Sequence, residues 1–230
     1  MISERQLSQR ASFWSELAPM LDVFVRVINI DSVRFASKVP ALAPPEQRAF
    51  IGECGFEMAR LTLEGANGID IQDVAPLVGR RLAHLDRTTA EPSNSILVAM
   101  EALTEIQGIA ENLVELVTML GGTVRFAPRF LGCGYVSHCI GDILVGACLI
   151  EVKSGKRTFR NEDLRQLVVY TALNYAGRTH QIDKVALANP REGTLFKIAL
   201  DTLIRRIAST GDKEFFERFV FLVSGVTTSG

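Results

Sequence analysis

Asp142, Glu151 and Lys153 are the residues of this chain whose types and spacing could do chemistry together. They frame the stretch Gly141-Asp142-Ile143-Leu144-Val145-Gly146-Ala147-Cys148-Leu149-Ile150-Glu151-Val152-Lys153, in which Gly146 divides two apolar runs. That pattern predicts a β-hairpin, and a two-residue turn at Gly146-Ala147 pairs Val145 with Cys148. Carried outward, the register sets Asp142 directly opposite Glu151. Opposed residues share a face with Cβ atoms about 5 Å apart, and like charges placed so repel unless something neutralises them. A divalent cation is the natural neutraliser. Lys153 returns to the same face two residues on, because strand side chains alternate. Hard oxygen ligands beside a lysine suit magnesium (Mg2+) or manganese (Mn2+), which bind one or two carboxylates and keep waters and a substrate phosphate. The chemistry implied is phosphodiester hydrolysis.

Asp142, eight intervening residues and then Glu151-Val152-Lys153 resemble the signature of the PD-(D/E)XK nuclease superfamily. Downstream, Asn161-Glu162-Asp163-Leu164-Arg165-Gln166-Leu167-Val168-Val169-Tyr170 predicts the start of a helix, with Asn161 as N-cap and two acids in the first turn. Gln166 and Tyr170 lie four apart on one face. The pair is similar to the Gln-x-x-x-Tyr element of the RecB-like branch. Gly141 stands where the family name has proline, and the second half of the chain carries the resemblance better than the first.

The resemblance implies a restriction-endonuclease-like α/β core, a mixed β-sheet flanked by helices. It implies magnesium held by Asp142, Glu151 and the Val152 carbonyl, with Lys153 orienting the attacking water or stabilising charge on phosphorus. Gln166 and Tyr170 would position the nucleic-acid backbone or support the metal site. An upstream acid from the first core helix is also expected. Glu53 and Glu57, four apart on a helical face, are the candidates, with Glu101, Glu105, Glu111 and Glu115 on a later helix competing. Small nucleases of this superfamily serve in phage defence, restriction, repair or recombination.

Each feature also has a plainer reading. A charged hairpin face is usually solvated, Gln166 and Tyr170 could be the polar rim of a helix whose core stripe is Leu164, Leu167, Val168 and Thr171, and most helical glutamates face water. A catalytically inactive nuclease-fold protein that binds DNA or a protein partner is the alternative; the intact Asp/Glu/Lys set argues for the enzyme.

Charge bears on the partner. A net charge of −1 does not advertise nucleic-acid binding across the whole surface. Cations nevertheless cluster near the hairpin: Lys156, Arg157, Arg160 and Arg165, with Arg125 and Arg129 on the preceding strand. They could hold phosphates flanking the scissile bond. DNA is the expected partner, with a partner protein or a homodimer supplementing weak intrinsic affinity.

Other chemistries find little footing. Four cysteines show no CxxC spacing, and Cys133, His138 and Cys139 match no common zinc site. His84 and His180 stand alone. No Walker-type loop or Ser/His/Asp grouping emerges, and Gly132-x-Gly134 lacks the setting of a dinucleotide site. No apolar run is long enough to cross a membrane, and residues 1–30 do not resemble a secretory signal, so a cytoplasmic location is expected.

The elements that must position these residues follow from periodicity. Helical patterning runs over 4–30, and Pro40, Pro44 and Pro45 break the chain before a helix near 46–64 that ends at Asn67-Gly68. A helix at 70–84, a polar stretch over 86–94 and a long helix to Leu120 follow, with Gly121-Gly122 as its stop. Then come a strand at 123–126, the hairpin, the Gln/Tyr helix, a strand at 184–190, a helix near 195–209 and a final helix at 212–219. The organisation expected is a largely helical N-terminal half, with 1–45 as an extension and 46–230 as the nuclease-like domain carrying a helical insertion at about 66–120.

Overall fold

The computed structural model describes residues 1–66, 68–86 and 100–225, without the side chains of 83–86. Asn67, the His84 side chain and the polar stretch after Asp86 therefore lie outside the described residues. The chain opens with three helices, α1 (Glu4–Ser8), α2 (Ala11–Leu17) and α3 (Leu21–Asp31), followed by the short strand β1 (Val33–Arg34). The helical patterning over 4–30 is thus interrupted twice, the second time at Pro19, whose ring disfavours helical backbone at Ala18. A 3-10 turn at Pro45–Gln47 leads into α4 (Arg48–Leu63), and α5 (Ile71–Asp86) and α6 (Met100–Leu120) complete the helical half.

The strands β2 (Val124–Phe126), β3 (Arg129–Phe130), β4 (Cys139–Ile140), β5 (Ile143–Val145) and β6 (Cys148–Val152) come next. Helix α7 (Asn161–Gly177), strands β7 (Lys184–Asn189) and β8 (Thr194–Ala199), and helices α8 (Leu200–Ala208) and α9 (Asp212–Ser224) finish the chain. Among the described residues, one mixed sheet has the order β1-β8-β7-β6-β5-β2, parallel only between β6 and β7, and β3 pairs with β4 beside it. The β6–α7–β7 crossover makes that parallel pair, as expected of strands joined through a helix.

Helices cover both faces of the sheet. Leu149, Val185, Leu187 and Phe196 pack toward α7, α8, α9 and the N-terminal helices, while Cys148, Ile150, Ala186 and Ala188 pack toward α4 and α6. The period-two alternation of strand side chains explains the split: β6 is buried on both sides, so apart from Glu151 it reads as an apolar run. Residues 1–31 belong to the α7 layer, and β1 adds to the sheet edge through β8.

Two local expectations need correction. Residues 195–199 are strand, not helix: β8 returns antiparallel along all of β7 after a turn in which Gly193 adopts φ +63°, and helix begins only at Leu200. Asn161 is the first helical residue and Arg160 the cap, because the Asp163 carboxylate accepts the Arg160 backbone N–H at 2.9 Å. No helix among the described residues is long and apolar enough to cross a membrane.

Candidate active site

The hairpin turn is what sets the site. Gly146, at φ +56°, occupies the first turn position, and Val145 pairs with Cys148, Leu144 with Leu149 and Ile143 with Ile150. The next pair outward is Asp142 and Glu151, as the residue spacing requires. Asp142 ends the ladder in an unusual way: its Oδ2 accepts the Val152 backbone N–H at 2.7 Å. The carboxylate is thereby fixed at the mouth of a cavity of about 170 Å³ lined also by Gly52, Glu53, Arg81, Val152 and Ser154.

Glu151 lies behind it, 1% exposed. Its Oε1 accepts from Lys153 Nζ, while its Oε2 is buried with no hydrogen-bond partner. Burial first, and then the charge of Asp142, push Glu151 up to about 8. Burial likewise raises Asp142. For Lys153 burial acts against the charge, but Glu151, Asp142 and Asp163 outweigh it and hold the amine above its ordinary range.

Helix α7 supplies the rest of the lysine's surroundings. Gln166 Oε1 accepts from Lys153 Nζ at 3.2 Å, Gln166 Nε2 donates to the Tyr170 hydroxyl at 2.5 Å, and the Tyr170 ring stacks on Phe130. Asp163 stands 3.8 Å from the amine. Gln166 and Tyr170 are 7% and 1% exposed, so they hold Lys153 and cannot reach along a bound nucleic-acid backbone. Their burial arises because α7 is enclosed from Asp163 to Asn174, between the sheet and the N-terminal and C-terminal helices, and not along one stripe.

The upstream glutamates separate clearly. Glu53 lines the cavity with Asp142, and burial and Asp142 raise its carboxyl against the pull of Arg81. Glu57, one turn on, is bound to Arg60 at 2.6 Å and Arg81 at 3.2 Å and is held below its ordinary range, chiefly by Arg60. It is committed to those arginines. Glu105 is buried against Arg191, Glu101 is exposed, and Glu111 and Glu115 border a separate groove on α4 and α6. Helix α4 comes this close to the hairpin because residue 52 is glycine; a Cβ there would sit 2.0 Å from Ser154 Oγ.

The basic cluster also divides. Arg157 forms a two-pronged pair with Asp163 at 2.5 and 2.8 Å, Lys156 and Arg160 are exposed, and Arg165 turns away, 5% exposed, onto the Ser8 carbonyl and Asp22. Two cations missed in the sequence bear on the site instead: Arg81, which lines the cavity, and Arg5 on α1, whose charge favours the ionised forms of Glu53 and Asp142. Neither belongs to a motif. Asp163 was visible only as a first-turn acid.

Among the described residues no three His, Cys, Asp or Glu side chains gather into a metal-holding cluster. The oxygen set here is smaller: two carboxylates and the Val152 segment. Magnesium, which retains several waters, is bound by sets of that size. The orphaned Glu151 Oε2 fits such an ion, since a buried carboxylate oxygen without a partner is costly. Comparison of the chain with protein-family models and with curated proteins finds no match.

A stability prediction follows from Glu151. Its folded carboxyl titrates near 8, whereas an unfolded glutamate titrates at about 4.3. The folded protein therefore keeps a proton that the unfolded chain has lost, so this stabilisation is complete below about pH 4 and disappears as pH rises through 8. In EDTA, the Tm of the wild type should fall between pH 5 and pH 8 by roughly 5 °C more than that of Glu151→Gln. Magnesium should raise the wild-type Tm most at pH 8. Parallel pH profiles for the two proteins would reject this account.

Proposed function

We propose that this chain is a metal-dependent nuclease that hydrolyses phosphodiester bonds in DNA. The observation that carries the reading is the pairing of Asp142 with a buried Glu151 whose second oxygen has no partner, under a lysine fixed by three side chains. A buried carboxyl beside a second one, forced to keep its proton up to about pH 8, is a poor choice for stability alone, and the two repel once it ionises. A divalent cation held by Asp142, Glu151 and the Val152 carbonyl would relieve them; when bound it would polarise the phosphate and lower the pKa of an attacking water.

The chain's own residues divide the remaining work. Lys153, charged through the neutral range, places a fixed positive charge where negative charge develops on phosphorus. Gln166 and Tyr170 keep the ammonium from swinging toward Glu151 alone. Arg81, which lines the cavity, favours an anionic substrate. Glu53 is the upstream acid that the cavity presents beside Asp142.

One observation favours the second reading, an inactive binding module of the same architecture: Lys153 already pairs with Glu151 Oε1, which partly satisfies the carboxylate without any ion. Calorimetry with magnesium or manganese separates the two, because only the nuclease needs the cation. The decisive assay is incubation of purified protein with linear duplex, circular duplex and single-stranded DNA, with and without metal. Metal-dependent cleavage of at least one is expected, and the circular substrate tells internal cutting from digestion at ends. No cleavage together with no metal binding would reject the nuclease.

A further inference from the structure

On the opposite side of the loop that follows Lys153 lies a second cavity, of about 280 Å³, lined by Lys38, Lys156, Arg157, Ser32, Thr158 and Thr194. Building on the nuclease reading, we infer that it takes a phosphate group of the substrate strand, away from the scissile one. Three cations and three hydroxyls line it against a single carboxylate, Glu192, which pairs with Lys38 at 2.6 Å. Arg157 is neutralised by Asp163, so the cation left for an incoming anion is Lys156, exposed at the rim. The amines and hydroxyls offer donors to a phosphate, while the larger apolar part of the lining, Phe159 included, suits the sugar that carries it.

The wall between the two cavities is rigid. Asn189 Nδ2 donates to the carbonyls of Gly155 and Arg157 at 2.8 and 3.2 Å, and Arg191 Nε donates to the Ser154 carbonyl at 2.7 Å. Ser154 lines the Asp142 cavity at one end of the loop, and Lys156 through Phe159 line the second cavity at the other. Through Asp163, Arg157 also connects the second cavity with Lys153. A strand crossing this loop would pass from Arg81 at the Asp142 cavity to Lys156 at the rim of the second.

The test uses the full chain in EDTA, where cleavage plays no part. Inorganic phosphate and a short single-stranded oligonucleotide are titrated calorimetrically into wild type, Lys156→Gln and Lys38→Gln; Lys156 is exposed, so its variant should fold normally. Inorganic phosphate should compete with the oligonucleotide, Lys156→Gln should weaken both ligands by about tenfold, and the salt slope of oligonucleotide binding should fall by about one. Phosphate binding lost without any change for the oligonucleotide would mean a site for free phosphate and overturn the strand assignment. No effect of either variant on either ligand would overturn the site. Metal-dependent cleavage is scored separately: if it persists with unchanged KM in both variants, the second cavity fails and the nuclease reading stands. If cleavage is absent while the binding losses are seen, the reverse holds.

Discussion

Lys153→Ala should reduce metal-dependent cleavage by about a thousandfold, the scale on which a fixed charge aimed at a developing anion contributes. The amine is held by Glu151, Gln166 and Asp163, and burial has not stripped its proton. Replacing it removes that charge without opening the core, since Lys153 is partly exposed while Glu151 behind it can stay protonated below about pH 8. The loss of stability should therefore stay near 1–2 kcal/mol, the cost of one unmade buried hydrogen bond. Lys153→Arg should not restore activity, because a planar guanidinium cannot meet three acceptors arranged around a point charge. Tyr170→Phe is the milder probe. It leaves Gln166 Nε2 without its acceptor in a site 7% exposed and frees the amide to turn, for an expected loss of about tenfold. Turnover measured beside circular dichroism and Tm checks both, and a folded Lys153→Ala sample that keeps more than a tenth of wild-type activity would remove Lys153 from the chemistry.

Much of this site was legible because its parts are local. One glycine between two apolar runs fixes the hairpin register, and a period of two then decides which side chains face Asp142. The Gln166/Tyr170 spacing survives for the same reason: four residues on a helix are neighbours whatever surrounds them. Choices made over long distances were hidden. Glu53 and Glu57 look alike in the sequence; Arg60 one turn on and Arg81 arriving from α5 bind Glu57 closely, whereas Glu53, 4.0 Å from Arg81, faces the cavity. Arg165 looked like its basic neighbours until α1 and α3 packed over α7 and offered it the Ser8 carbonyl and Asp22. Residues 195–199 have an apolar pattern that suits either period, and pairing with β7 decided it. The two-residue strand β1 carries almost no periodic signal, and its place depends on the edge of β8.

The largest effect on stability should come from a pair that no motif contains. Glu105 on α6 and Arg191 after β7 form an ion pair 1% and 0% exposed. Glu105 Oε1 also accepts the backbone N–H groups of Leu42 and Ala43, and Arg191 Nε holds the Ser154 carbonyl. The pair thus ties the helical layer to the loop after Lys153. Arg191→Met leaves a buried carboxylate without its cation and should cost about 3–5 kcal/mol, or roughly 10 °C in Tm. Glu105→Gln, which keeps the shape and one acceptor for Leu42 and Ala43, should cost less. Although burial opposes its charge, the Ala43 N–H and Arg191 hold the Glu105 carboxyl below its ordinary range. Its stabilisation is accordingly present above about pH 4.3 and is lost as pH falls through the lower folded value, so the acid limb of the wild-type Tm profile should flatten in Glu105→Gln. The double variant Glu105→Gln/Arg191→Met should recover much of the Arg191→Met loss, since the neutral amide leaves no orphaned charge and still offers an acceptor to Leu42 and Ala43. It should not recover full cleavage, because the Ser154 carbonyl, and with it the wall between the two cavities, has lost its anchor. Stability restored without activity would mark Arg191 as the residue that positions the loop; recovery of both would reduce it to packing.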